Sequence, residues 1–463
     1  MNKKDRDYIG IIAYVFALGF TIASILVSLN RFWQYEVFYY DFGIFDRAIW
    51  EVSRFQAPII DHLIVGGKWI FADHFSPSIF LLSPFYWITQ RSEMLLIMQA
   101  VIVGVSGLVL YKIGTIVLKQ RLLPLSILVC YFMFVGLQNA IVTDFHELTV
   151  MTLPLMLTFW AAVKKKAVLY SIFLLITLGF KEVTFLVGIG IGITVLLLNR
   201  KWLKIGLTTI LISSVWGLVS IKFIIPYFSN GIYLYAVSLP SGILDKVYAL
   251  ADHAVKQQTL FYSFLSFGFL PLGMPWFWFL IIQDYALRFI PPYFSRWGLG
   301  FHYNAQSAVI LALASVFSLK VLLKSPYKRL ANIFAILLIF NAIILYQFIL
   351  HGPLGLSYNK AFYTHTKNFL FLDKLVKSIP REASIMTQNN LAPHFTHQKV
   401  WLLRENYEVY TPDYIMIDIR EGQNPNNFYG TDNINNIFSS LMVDTKYEIM
   451  HRSAGQYIFR RKG

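Results

Sequence analysis

Long apolar runs separated by short basic clusters set the pattern of this chain. A helix that crosses a bilayer needs about 20 largely apolar residues. Runs near that length begin at Tyr8, Met94, Leu122, Leu148, Ile205, Ala305 and Leu330. The clusters Lys3-Lys4-Asp5-Arg6, Lys119-Gln120-Arg121, Lys164-Lys165-Lys166, Arg200-Lys201 and Lys324 to Arg329 orient them, because Lys and Arg flanking spans stay on the cytoplasmic side. A crossing at Pro77 to Ile88, which is short and carries Pro84, would put the middle three clusters outside. A re-entrant or surface-lying segment there puts all of them inside. Residues 167–198 then have both ends inside and predict two short antiparallel helices that turn near Lys181-Glu182. Gln258 to Ile282 reads either as a hairpin broken at Pro271 to Pro275 or as a surface-lying pair, and the hairpin brings the count to about eleven spans.

From His351 the pattern changes to that of a water-soluble domain. Phe369 to Ser378 has a helical period. Ala383 to Thr387, Lys399 to Leu403, Tyr414 to Ile419 and Gln456 to Arg460 read as strands, with Glu421 to Gly430 as an Asn/Pro/Gly-rich loop. The expectation is an α-helical polytopic membrane protein. Residues 1–350 form the membrane domain, 31–93 its first outer loop, and 351–463 a small α/β domain. The N-terminus is expected in the cytoplasm and the C-terminal domain on the extracytoplasmic side of the cell membrane.

Composition agrees. Of 463 residues 56% are hydrophobic and 14% charged, against about 25% charged in soluble domains. The net charge of +15 sits in clusters between spans, which is an orientation signal and not a nucleic-acid footprint. Cys130 is the only cysteine and lies inside an apolar run, so a disulfide framework and a thiolate metal site are both excluded. The run Tyr8 to Leu29 exceeds the ~7–15 residues of a signal-peptide core, so it is read as a retained first span. Motifs for nucleotide hydrolysis, zinc proteolysis and serine hydrolysis are absent from the sequence.

Chemistry-bearing residues gather at the outer ends of the runs. Asp41 follows the first span and precedes a short amphipathic stretch with Ile44, Phe45, Ala48, Ile49 and Val52 on one face, and with Asp46, Arg47, Glu51 and Arg54 elsewhere. That pattern predicts a helix lying on the membrane surface. Asp41 either caps it or acts on a lipid-linked substrate at the headgroup level. Asp46, His74, Lys181, Glu182, Arg288, His302 and Tyr303 are expected on the same face as substrate-binding groups. Asp144, His146 and Glu147 are suited to a hard divalent cation such as Mg²⁺ or Mn²⁺; Asp144 serves equally well as a helix cap. Lys181 suits either a phosphate or a structural salt bridge with Glu182 or another acid.

The stretches Tyr40 to Trp50, His74-Phe-Ser-Pro77, Asp144-Phe-His-Glu147, Lys181-Glu182, Phe301-His-Tyr303 and Asn389 to His394 occur in this order. In that combination the chain resembles the DUF2079 family of prokaryotic membrane proteins. The family in turn resembles the GT-C class of integral membrane glycosyltransferases, which use polyprenyl-phosphate sugars and place a catalytic acid in the first outer loop. The resemblance implies inverting transfer to a glycan, lipid or protein acceptor, with Asp41 as general base. Lys181, a basic residue of the loop from Arg288 to His302, or a metal would offset charge on the lipid-phosphate leaving group. A transporter or flippase of a lipid-linked or small polar substrate, and a non-catalytic membrane scaffold, are the alternatives.

Overall fold

A computed structural model of the chain describes residues 3–60, 66–233, 235, 239–420 and 431–463. The expected loop from Glu421 to Gly430 lies outside the described residues. Contacts divide the chain into two compact units. The first holds residues 1–27, 73–79 and 98–357, and the second holds 28–72, 80–97 and 358–463. Most of the first outer loop therefore groups with the C-terminal domain, so the boundary expected at 350/351 separates segments that the fold joins.

The first unit is a helical bundle. Five helices among the described residues are long and apolar enough to span a bilayer: Tyr8–Trp33, Glu93–Leu118, Arg200–Phe228, Asn304–Leu322 and Lys328–Ile349. The bent pair Leu122–Met133 and Val135–Val142 makes a sixth if counted as one span. Helices occupy all eleven expected places, but the rest are shorter. Ala167–Leu178 and Thr184–Leu198 reach only ~18 and ~22 Å at 1.5 Å per residue, below the ~30 Å of a hydrocarbon core. The 3-10 segment Pro77–Trp87 is equally short.

Basic clusters end helices by conformation as well as by charge. Lys119 (φ 55°) and Lys165 (φ 56°) adopt the left-handed geometry that glycine usually supplies after a helix. Asn304–Leu322 is the bundle's central helix, buried without interruption from Asn304 to Leu319. The outer helices leave Ile11, Val15, Leu18, Leu211 and Phe340 exposed, as lipid-facing surfaces require. Ala254–Ser266 and Trp278–Phe289 flank the expected break at Pro271 to Pro275, with Phe264 6.4 Å from Tyr285.

The second unit combines the loop and the C-terminal domain. The loop carries a two-stranded ribbon, β1 (Ile59–Ile60) and β2 (Lys68–Trp69). The domain has β3 (Ile385–Thr387), β4 (Val400–Leu402), β5 (Tyr414–Asp418), β6 (Tyr447–Ser453) and β7 (Gln456–Arg461), in the order β4-β3-β5-β7-β6. β3 is parallel to β4 and β5, and β7 is antiparallel to β5 and β6. Met386, Trp401, Ile415, Ile417 and Phe459 pack with Ile434, Ile437 and Leu441 of the helix Thr431–Val443 as its core. Four strands fall where the sequence places them; β6 and the last helix are additions.

Candidate active site

Helix ends and loops of the first unit assemble a belt of polar side chains. Gln99 fixes one part of it. Its Nε2 donates to Ile141 O (3.0 Å) and Asp144 O (2.8 Å), and its Oε1 accepts from the His146 backbone N–H (2.9 Å). This staple presents His146 and Glu147 at the start of the helix Glu147–Val150. His146 is the N-cap residue of this helix and its own side chain makes no capping bond. Glu147 Oε1 lies 2.7 Å from Lys181 Nζ, and its Oε2 lies 2.8 Å from His146 Nδ1. The buried Lys181 pair is therefore with Glu147 and not with its neighbour Glu182.

Glu182 faces the other way along the same turn. Its Oε1 is 2.9 Å from His74 Nδ1 and accepts from the Tyr233 hydroxyl (3.1 Å), while Oε2 accepts from the Phe75 backbone N–H (3.3 Å). His74 stacks on Tyr235 at 4.1 Å, and the Tyr235 hydroxyl donates to Asp73 at 3.0 Å. Burial favours the neutral form of Glu182, but His74 and Lys181 hold its pKa below the ordinary value. Burial likewise opposes charge on Lys181, yet Glu147 and Glu182 hold its pKa above the ordinary value. Both stay ionised.

The loop before the central helix closes the belt. His302 stacks on His146 with ring centroids 3.3 Å apart and meets Tyr303 at 4.0 Å. Burial, His146 and Lys181 push the His302 pKa well down, so a neutral imidazole lies beside the cation. Arg288, expected to bind substrate, is a clamp for this loop. It donates to Arg296 O (3.0 Å), Gly298 O (3.3 Å), Asn304 Oδ1 (2.9 Å) and Ser307 Oγ (3.1 Å). Arg296 instead lies over the Tyr293 and Tyr303 rings and makes no ion pair among the described residues.

Asp41 and Asp46 belong to the second unit. Asp41 sits inside a π-helical turn, Tyr39–Gly43, which runs directly into the helix Ile44–Ser53, and the residues at the two N-cap positions, Phe38 and Gly43, make no side-chain cap. The capping expectation for Asp41 is therefore corrected: the backbone is already helical at Tyr39. The turn's leading N–H groups are met by Asn389, whose backbone O accepts from Tyr39 N–H (2.9 Å) and whose Oδ1 accepts from Tyr40 N–H (3.0 Å). Asp46, expected on a polar face, is 0% exposed. It accepts from the Tyr86 and Thr396 hydroxyls and lies 3.0 Å from His397 Nε2. Burial works against its charge, but His397, Thr396 and Tyr86 hold its pKa below the ordinary 3.8. Glu51 is also buried, paired with Arg47 at 2.5 Å. The surface-lying helix is thus covered by C-terminal residues on its polar side.

A divalent cation does not fit the residues proposed for it. Among the described residues no group of three or more His, Cys, Asp or Glu is placed to hold a metal. Glu147 already balances Lys181, and an ammonium 2.7 Å away opposes a second cation at that carboxylate.

The six motif stretches thus fall at helix ends, belt positions or the contact made by Asn389. A family model described as "Predicted membrane protein (DUF2079)" matches residues 31–458. The chain belongs to the DUF2079 family. No curated protein matches this DUF2079 chain. Among solved structures it is similar to ArnT from Cupriavidus metallidurans bound to undecaprenyl phosphate, with 9% identity, 97% of each chain covered and a TM-score of 0.54. The apo ArnT structure gives 9% identity, 96% of this chain and 98% of that one, and a TM-score of 0.48. The DUF2079 chain therefore has the GT-C fold of ArnT, helical in the membrane with a small C-terminal sheet domain.

In this DUF2079 member the sequence reading missed Tyr233 and Tyr235. The alternation of two tyrosines beyond Pro226, two positions apart in a loop, was the available signal. Asn389 opened one of the six motif stretches and His397 stood as a scattered polar residue, but the role of neither was legible, since their partners lie in the first loop.

Proposed function

We propose that this DUF2079 protein is a GT-C-type membrane glycosyltransferase that moves a sugar from a polyprenyl-phosphate donor to an extracytoplasmic acceptor, with its N-terminus in the cytoplasm. The observation that carries the reading is a fold shared along 97% of both chains with a protein that binds undecaprenyl phosphate. The belt supports it, because a polar, ionised cluster sits at helix ends of an apolar bundle, where a lipid phosphate would enter.

In this mechanism Asp41 accepts the proton of the acceptor hydroxyl as its oxygen bonds to the sugar's anomeric carbon. The bond from that carbon to the phosphate oxygen breaks, the anomeric configuration inverts, and polyprenyl phosphate leaves with the electron pair. Within the first unit, Lys181 and Arg296 are the cations suited to the phosphate of a polyprenyl donor, and His74, Glu182, His302 and Tyr303 are the polar groups suited to hold it. Arg288 holds the loop that carries Arg296 and His302.

The test is release of polyprenyl phosphate from a panel of lipid-linked sugars by purified protein in nanodiscs. Asp41→Asn removes the proton acceptor with little change of shape and should lower turnover about 10²–10⁴-fold. Near-native turnover in folded Asp41→Asn protein removes the catalytic assignment.

A further inference from the structure

The second unit holds a cleft of about 1030 Å³ between the first-loop segments and the helix Leu370–Ser378. That is at the upper end of small-molecule sites. Tyr35 lines it and is costly twice over. Its φ of 58° is left-handed, at the helix-terminating position where glycine is cheap; Glu36 N–H bonds back to Arg31 O at 3.0 Å. Its side chain is buried, with the residue only 3% exposed, and its hydroxyl has no hydrogen-bond partner. His394 stacks on Tyr35 at 4.1 Å, lines the same cleft, and likewise has no partner for Nε2. A buried unpaired hydroxyl is destabilising unless something else completes it.

The cleft's other groups indicate what completes it. Trp33, its Nε1 donating to Glu93 at 3.3 Å, remains 42% exposed and offers a flat apolar face of the kind that packs on the C–H face of a sugar ring. Arg54, Arg91 and Arg381 line the rim and make no ion pair among the described residues. Of the three carboxylates that line the cleft, Asp373 is paired with Lys377, Glu93 accepts from Trp33, and Glu382 makes no ion pair among the described residues, which leaves three arginines against one uncommitted acid. Unpaired arginines favour carboxylate or phosphate oxygens, which they bind through two parallel N–H donors.

We propose that this cleft binds an acidic saccharide, with Arg54, Arg91 and Arg381 on its anionic groups, Trp33 under a sugar ring and Tyr35 and His394 hydrogen-bonded to its hydroxyls. As the acceptor site of the enzyme, the cleft rests on the transfer reading; as a binding site it does not. The experiment is titration of the full-length protein in nanodiscs, followed by tryptophan fluorescence and saturation-transfer NMR, with tetragalacturonate and with neutral maltotetraose as probes. Tetragalacturonate should bind saturably and about tenfold or more tighter than maltotetraose, and Arg381→Gln should remove most of that difference. Tyr35→Phe should weaken binding by about three- to tenfold without lowering thermal stability, because the hydroxyl has no internal partner to lose.

Equal affinity for both saccharides, or binding indifferent to both variants, overturns the proposal. So does a signal that tracks the phosphatidylglycerol content of the nanodisc, which would assign the arginines to lipid headgroups. Binding that persists in Asp41→Asn protein supports the site independently of turnover. Sugar transfer with acceptor KM unchanged in Arg381→Gln would overturn the site and leave the transfer reading standing.

Discussion

Asp46 and Glu182 are both buried carboxylates that face a histidine, and they differ in what surrounds the pair. Around Asp46 the network closes on itself. Tyr86 and Thr396 donate to it, His397 Nδ1 lies 3.0 Å from Gln90 O, and the His397 ring stacks on Trp50 at 4.8 Å. Around Glu182 the partners come from loops, Tyr233 and His74 among them. The same two functional groups are thus met chiefly by hydroxyls in one unit and by loop-borne partners in the other, and in the transfer reading it is the loop-borne cluster that receives the donor.

Breaking the loop-borne cluster should have the largest effect. Lys181→Met leaves Glu147 buried without its cation, which should cost about 3–5 kcal/mol, read as a fall in thermal stability. The double variant Lys181→Met, Glu147→Gln should recover much of it. A single variant as stable as wild type would show that the belt is not held by this pair.

The closed network is tested next by pH. Asp46 has a folded-state pKa below its ordinary 3.8, so its contribution is fully present above about pH 4 and is lost as pH falls through the folded value. Proteolytic resistance of the C-terminal domain should drop on acidification in wild type, and Asp46→Asn should flatten that limb. At neutral pH the Asn variant should cost about 1–3 kcal/mol through mismatched hydrogen bonds. An unchanged acid limb would assign the acid sensitivity to other carboxylates.

The smallest change is at Asn389. Asn389→Ala removes one of the two acceptors from the Asp41 turn, at about 1 kcal/mol, and Asp or Ser at 389 should restore it. If the turn positions the base, kcat falls with KM unchanged and recovers with the cap. A stability loss with kcat intact would make the contact structural only.

The sequence made legible what depends on length and charge. Apolar runs and basic clusters located the helices, and two inside clusters implied the turn at Lys181-Glu182 that became the centre of the belt. What stayed hidden depends on partners distant in the chain. A helical projection assigns Asp46 and Glu51 to water because it contains no information about Thr396 or His397. The π-helical turn at Asp41 has no side-chain signature. β6 was missed because a register shift between Ile449 and His451 interrupts its alternation at the edge of the sheet. Arg288 looked like a ligand group because a charge near a span end carries no sign of the carbonyls it serves.

The contact between Tyr40 and Asn389 joins residues 349 positions apart, and that between Asp46 and Thr396 joins residues 350 apart. These first-loop contacts therefore cannot form until residues 389–396 have been made. The first-loop helix leaves the ribosome early, yet its leading N–H groups and its carboxylate wait in water until Asn389 and Thr396 follow. A nascent chain interrupted before Asn389 can insert every one of its helices and still lack a finished Asp41 turn. Synthesis as far as Thr396 is thereby built into the geometry as a condition for the first loop to mature.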